Sequence, residues 1–161
     1  TTHLFPELFK AMARVDIVRV PYKGGAPALT AVLGGEAQIM FATATGAGPH
    51  VKAGRLRALA VTSAQRSALF PELPTVAASG LPGYEAAASQ CLFAPLGTAA
   101  AVIQRLNRDV IKVLEKPEVK ERFLQSGSEV ATSSPQELAA YIKADMAKMG
   151  KLIREAGIRA N

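Results

Sequence analysis

Residues 20–36 read VPYKGGAPALTAVLGGE. A β-branched run ends in Val20-Pro21, Tyr22-Lys23-Gly24-Gly25 follows, and an apolar run opens on Ala26-Pro27. Proline is tolerated in the first turn of a helix because its missing N–H has no intrahelical partner there. Gly34-Gly35 then closes the run. The stretch therefore reads as the end of a strand, a glycine turn and a short helix over 26–33. On either side, Val15 to Pro21 is rich in Val and Ile and stops at a proline, as a strand does. Residues 37–42 (AQIMFA) form a second apolar strand, and 55–62 (RLRALAVT) a third. Between these last two, Thr43-Ala44-Thr45-Gly46-Ala47-Gly48 reads as a small-residue loop leading into a short helix that ends at Gly54. Strand, helix, strand, helix, strand at this spacing predicts an α/β fold with a parallel sheet.

Upstream, Leu4, Leu8 and Met12 recur every four residues and predict a helix over 4–13. Downstream, Pro71, Pro74 and Pro82 mark a loop region with one helical turn near Thr75, and 84–95 reads as a long apolar strand. Gly97-Thr98 offers an N-cap for a helix over 99–115, striped by Ile103, Leu106, Val110, Val113 and Leu114. Pro117 opens another helix, closed by Gly127. Ser134-Pro135-Gln136-Glu137 is a capping box that starts the longest helix, about 135–156. Its stripe is Leu138, Ile142, Met146, Met149 and Ile153. Residues 1–83 thus alternate strands and helices, 84–95 cross over, and 96–161 are mainly helical.

Composition removes several classes. The 161 residues are 49% hydrophobic, too apolar for a disordered chain. No apolar run reaches the roughly 18 residues of a membrane span. One cysteine, Cys91, excludes an internal disulfide and reads as a small buried hydrophobe. His3 and His50 are far apart, so neither a metal site nor a catalytic triad has a sequence context, and no cofactor is expected. The net charge is +6, but the cations are scattered, tryptophan is absent and aromatics are few, which argues against nucleic acid. No dinucleotide fingerprint, P-loop or nucleophile elbow is present. An α/β enzyme using Thr43 is a weaker alternative, and no enzymatic activity is expected.

The remaining chemistry lies at the ends of the strands, where open parallel sheets bind ligands. Tyr22 to Ala26 and Thr43 to Thr45 both precede helix starts, whose unpaired N–H groups and positive dipole ends attract anions. Glycine at 24 and 25 allows close approach, and Thr43 and Thr45 add hydroxyls. A glycine pair that merely eases a tight turn explains 24–25 equally well. Lys23 reads more simply as a solvated surface cation.

Six blocks carry a family resemblance: VPYKGGAPALTAVLGGEAQIMF (20–41), PHVKAGRLRALAVTSAQRS (49–67), LPTVAASGLPGYE (73–85), LFAPLGTAAAVIQRLN (92–107), SSPQELAAYIKAD (133–145) and AGIRA (156–160). In this order they resemble the Bug proteins, the substrate-binding receptors of tripartite tricarboxylate transporters. The resemblance implies a lobe of the periplasmic binding protein type II kind, a periplasmic location and no chemistry performed. It also implies a small carboxylate ligand and delivery to membrane permease subunits. Thr1, Tyr22, Lys23, Gly24, Gly25, Ala26, Thr43, Ala44 and Thr45 would line the second lobe's side of the cleft. Members are longer than this chain, which aligns with their C-terminal half. The first lobe is then largely absent, residues 96–161 lose the surface they normally pack on, and the expectation is that the chain either self-associates or is a fragment of a longer protein. A non-transport interaction module that retains the fold is the alternative. Three positions depart from the pattern: Arg14 stands where glycine usually closes the first helix, and Ala42 and Ser89 replace an Asp and a Trp.

Overall fold

The computed structural model describes residues 3–155 and 157–158. It divides into two compact units, Thr1–Ala87 and Ala88–Asn161. Among the described residues there are six helices: α1 (Leu4–Ala13), α2 (Gly25–Leu33), α3 (Ala44–Lys52), α4 (Ala100–Leu114), α5 (Pro117–Gln125) and α6 (Pro135–Glu155). Neither α6 nor any other described helix is long and apolar enough to cross a membrane.

In the first unit, α1 follows its four-residue repeat. Leu8 is buried, and Glu7 in the first turn pairs with Lys10 at 3.3 Å. The helix ends where the sequence places its cap. Arg14 adopts φ 54°, ψ 42° and donates its N–H to the Lys10 carbonyl. It is the only non-glycine residue with positive φ among those described. Glycine adopts this left-handed conformation freely, whereas a side chain is crowded against the following carbonyl.

Around α1 the core is aromatic. Tyr84 is 1% exposed and donates its hydroxyl to the Phe5 carbonyl at 3.1 Å. Phe9 meets the Tyr84 ring edge-on at 6.0 Å and the Phe41 ring at 5.8 Å. Edge-to-face pairs at this spacing add to the ordinary benefit of burial. One cluster thus joins α1, the end of the 37–42 segment and the residues after Gly83. α2 and α3 pack on each other, and Phe70 lies against buried Gly48 of α3.

The expected parallel sheet is not shown among the described residues. Among the described residues the segments 15–21, 37–42, 55–62 and 84–95 make no strand ladder, and one isolated parallel bridge joins Val61 to Thr75. Val61 donates to Pro74 and accepts from Val76, and Ala86 donates to Thr62. The third segment therefore spends its main-chain groups on the proline-rich loop that follows it, not on the two earlier segments. Strand propensity is realised only when a neighbour presents an aligned backbone. Val18 is 83% exposed and has no main-chain partner among the described residues. The expected turn at Thr75 is present: its Oγ1 accepts from the Ala78 N–H at 3.0 Å, and its carbonyl accepts from the Ser79 hydroxyl at 2.8 Å.

In the second unit, α4 packs on both α5 and α6. The capping box of α6 forms as read. The Ser134 N–H and hydroxyl donate to Glu137 Oε2 at 2.7 and 2.8 Å, and the Glu137 N–H returns to Ser134 Oγ at 3.2 Å. These bonds hold the exposed Glu137 carboxyl below its usual range. Thr98 differs from expectation: α4 starts later, with Ala99 at its N-cap, and the Thr98 hydroxyl closes the preceding turn on the Pro95 carbonyl at 2.8 Å. Pro117 is the first residue of α5, as read. Much of both stripes stays exposed, with Leu106 and Val113 about half exposed and Met146 at 70%. Cys91 is half-buried.

Burial pushes the Tyr84 hydroxyl up from 10.0 to about 12, because the phenolate loses its water. A group whose folded pKa exceeds its unfolded one stabilises fully below the unfolded value and stops doing so above the folded one. Thermal melting should therefore lose a Tyr84-dependent contribution as pH rises from 10 to 12. Tyr84→Phe should cost about 1 kcal/mol at neutral pH, the worth of one hydrogen bond. The variant's alkaline decline should be shallower than that of the wild type, and parallel declines would show that Tyr84 ionises freely.

Candidate functional site

The Tyr22–Ala26 turn is set by Gly24. At φ 108°, ψ 177° its backbone lies in a region that only glycine occupies readily. Its N–H donates to the Tyr22 carbonyl at 2.9 Å and is committed to the turn. Helix α2 starts at the next residue, one earlier than the sequence suggested. Gly25 and Ala26 are first-turn residues, so their N–H groups have no intrahelical acceptor. None of the described residues supplies one. Pro27, third in the helix, has no N–H to leave unpaired. The space above Gly25 is open: a Cβ built there meets no atom within 4 Å. Lys23, Gly24, Gly25 and Ala26 are exposed and Tyr22 is half-buried.

The second segment is not the loop that its small residues suggested. α3 begins at Ala44, and Thr43 is its N-cap in an extended conformation. Thr43 Oγ1 accepts from the Gly46 N–H at 3.3 Å. The Thr43 carbonyl accepts from Gly46 at 3.1 Å and from Ala47 at 3.0 Å. Threonine is among the side chains that favour this cap, which overrides the poor helix propensity of Gly46 and Gly48. An oxygen that accepts one hydrogen bond keeps its own proton, so the exposed Thr43 hydroxyl can still donate. The Ala44 N–H is a first-turn amide with no acceptor among the described residues. Thr45 is exposed and Ala44 half-buried.

Of the nine residues singled out in the sequence, eight lie at the starts of two helices that touch, within one unit. Thr1 lies outside the described residues. The amides of Gly24 and Gly46 are occupied internally, which leaves Gly25, Ala26 and Ala44 as uncommitted donors. Neither α2 nor α3 has an acidic residue in its first turn, so each positive dipole end is uncompensated by its own chain. Sequence reasoning missed what supports Thr43: Phe41, two residues earlier, is locked against Phe9. It also missed the Ser89 hydroxyl, which lies 3.2 Å from the Tyr141 hydroxyl in the second unit.

The two glycines should separate by mutation. Gly24→Ala places a side chain at φ 108° and should destabilise by about 1–3 kcal/mol in urea titration. Gly25→Ala has open space and no positive φ, and should change stability by less than about 0.5 kcal/mol. Equal effects would contradict the turn geometry.

Comparisons with known proteins extend over this geometry. Residues 1–158 match the family profile described as "Tripartite tricarboxylate transporter family receptor", TctC. The UPF0065 protein of the tcbD-tcbE intergenic region of Pseudomonas sp. strain P51 is 38% identical over 160 residues, covering 99% of this chain and 48% of that relative. The chain thus spans about half the length of this relative. The UPF0065 protein of the clcB-clcD intergenic region of Pseudomonas knackmussii is 31% identical over 160 residues, covering 99% of this chain and 95% of that relative. Among solved structures, R. palustris Rpa4515 with adipate superposes with a TM-score of 0.81 at 36% identity, over 98% of this chain and 52% of the other. The periplasmic binding protein BugD gives a TM-score of 0.76 at 31% identity, over 100% of this chain and 55% of the other. The sequence match spans both units and both helix-start segments, and the chain belongs to the tripartite tricarboxylate transporter receptor family.

Proposed function

We propose that the chain is an extracytoplasmic solute-binding polypeptide that holds a small carboxylate at the starts of α2 and α3. The observation that carries this is the set of uncommitted amides at Gly25 and Ala26 in the first turn of α2 and at Ala44 in that of α3, the last next to Thr43, with no acidic residue in either first turn. Such donors satisfy an anion through charge-assisted hydrogen bonds without a buried counter-charge. Family membership and the adipate bound to Rpa4515 support the ligand class. The likeness to BugD, a periplasmic binding protein, supports a periplasmic location.

In this reading residues 1–83 form the α/β ligand-binding lobe and 84–95 are the crossover. Residues 96–161 present helices for packing against another lobe. Tyr22, Lys23 and Thr45 flank the donors, and the family resemblance adds Thr1 to the ligand's contacts. No bond of the ligand is made or broken, and no cofactor takes part. The loaded polypeptide hands its ligand to the permease subunits of a tripartite transporter. The exposed apolar residues of both units also favour self-association. A non-transport interaction module with this fold would share the architecture but not the ligand.

A ligand that binds only the folded chain raises its melting temperature. Adipate at millimolar concentration should do so, and the neutral diamide of the same length should not. Binding should be weaker than micromolar, because the exposed donors contact a ligand from one side. Thr43→Ala should weaken it about tenfold, the worth of one hydrogen bond to a charged group. Thr43→Ser, which keeps hydroxyl and cap, should bind like the wild type. An unchanged melting curve with adipate, malate and citrate alike would favour the interaction module.

A further inference from the structure

We infer that Phe41 is a positioning residue for the ligand donors at the start of α3, held by Phe9 of α1; this rests on the carboxylate reading. Thr43 offers its hydroxyl, and Ala44 its amide, only while the cap stays formed. A cap needs its residue extended while the next is helical, and Thr43 is so at φ −73°, ψ 147°. The direction from which the chain enters decides whether that conformation holds. Many helices fix their entry angle with an apolar staple between the residue before the cap and the fourth residue of the helix. In α3 those positions are Ala42 and Ala47, whose methyl groups are too short to staple.

The entry angle is set from outside the helix instead. Tyr84, 1% exposed, meets α1 twice: its hydroxyl donates to the Phe5 carbonyl at 3.1 Å, and Phe9 meets its ring at 6.0 Å and 80°. Phe5 and Phe9 are about one turn apart, so the two contacts fix the Phe9 ring. Phe9 in turn meets the Phe41 ring at 5.8 Å and 58°. Such pairs depend on tilt as well as distance, so they transmit a direction. Only Ala42 separates Phe41 from the cap, a reach of about 7 Å at full extension. Phe41 is half-buried, so its ring contact is a large part of what it contributes.

Phe41→Leu keeps an apolar side chain and removes the ring. Hydrogen exchange on the ligand-free chain reads the cap. The Gly46 and Ala47 amides, which donate to Thr43, should exchange about threefold to tenfold faster, the worth of one aromatic pair. The Ala53 amide, which donates to Pro49 at the other end of α3, should be unchanged. Phe9→Leu should give the same pattern, and Phe41→Tyr should behave as wild type. Adipate should bind Phe41→Leu about threefold to tenfold more weakly, because the ligand must then supply the ordering that the ring pair supplied. Phe41→Tyr should restore its affinity. Uniform acceleration along α3, no acceleration at Gly46 and Ala47, or undiminished adipate affinity in Phe41→Leu would each overturn the inference. A wild-type chain that ignores adipate would instead remove the carboxylate reading, and the exchange pattern would still decide whether Phe41 holds the cap.

Discussion

Tyr84 organises the first unit. Among the described residues it is the largest fully buried side chain, its hydroxyl is tied to the main chain of α1, and its edge contact with Phe9 continues to Phe41. Phe41 precedes the N-cap of α3 by two residues, so the aromatic cluster fixes the point from which that helix starts. α2 is held against α3. The position of a few main-chain amides therefore depends on an apolar contact elsewhere in the same unit. This is economical chemistry: burial supplies most of the stabilisation, and the polar groups left over at helix starts become available for binding.

Those groups suit a carboxylate for electrostatic reasons. Each helix start carries a partial positive charge, and neither first turn contains an acidic side chain to compensate it. Thr43 serves two purposes, accepting from Gly46 to complete the cap and retaining a hydroxyl proton for an outside acceptor. Lys23 is exposed and adds a field more than a contact. The same logic explains why Gly24 and Gly25 are not equivalent: the first is required by its backbone conformation, whereas the second leaves open space above a free N–H.

Much of this was legible in the residues. The α1 repeat, Pro117 as the first residue of α5 and the Ser134–Glu137 box are local signals, and local signals survived. The start of α2 was legible to within one residue, because Pro27 and Gly34-Gly35 bracket that helix. Thr43-Ala44-Thr45-Gly46 misled because its glycines suggest a loop, although Thr43 is a strong cap and its hydrogen bonds carry the helix through them. The commitment of the Gly24 and Gly46 amides was not legible, since it depends on turn geometry. The sheet, not shown among the described residues, is a different case. Val15–Val20 has the composition of a strand, but a ladder is a property of two segments, and composition reports on one. Thr98 is a similar case: threonine caps helices and also closes turns, and only the position of Pro95 decided between them.

The central claim concerns main-chain N–H groups, and isotope-edited NMR observes them one by one. Titration with adipate should move the amide signals of Gly25, Ala26 and Ala44 downfield together, along one binding curve. Those of Gly24 and Gly46, already bonded within the chain, should move less. Shifts confined to side chains or to residues of the second unit, with the three helix-start amides unmoved, would contradict the account.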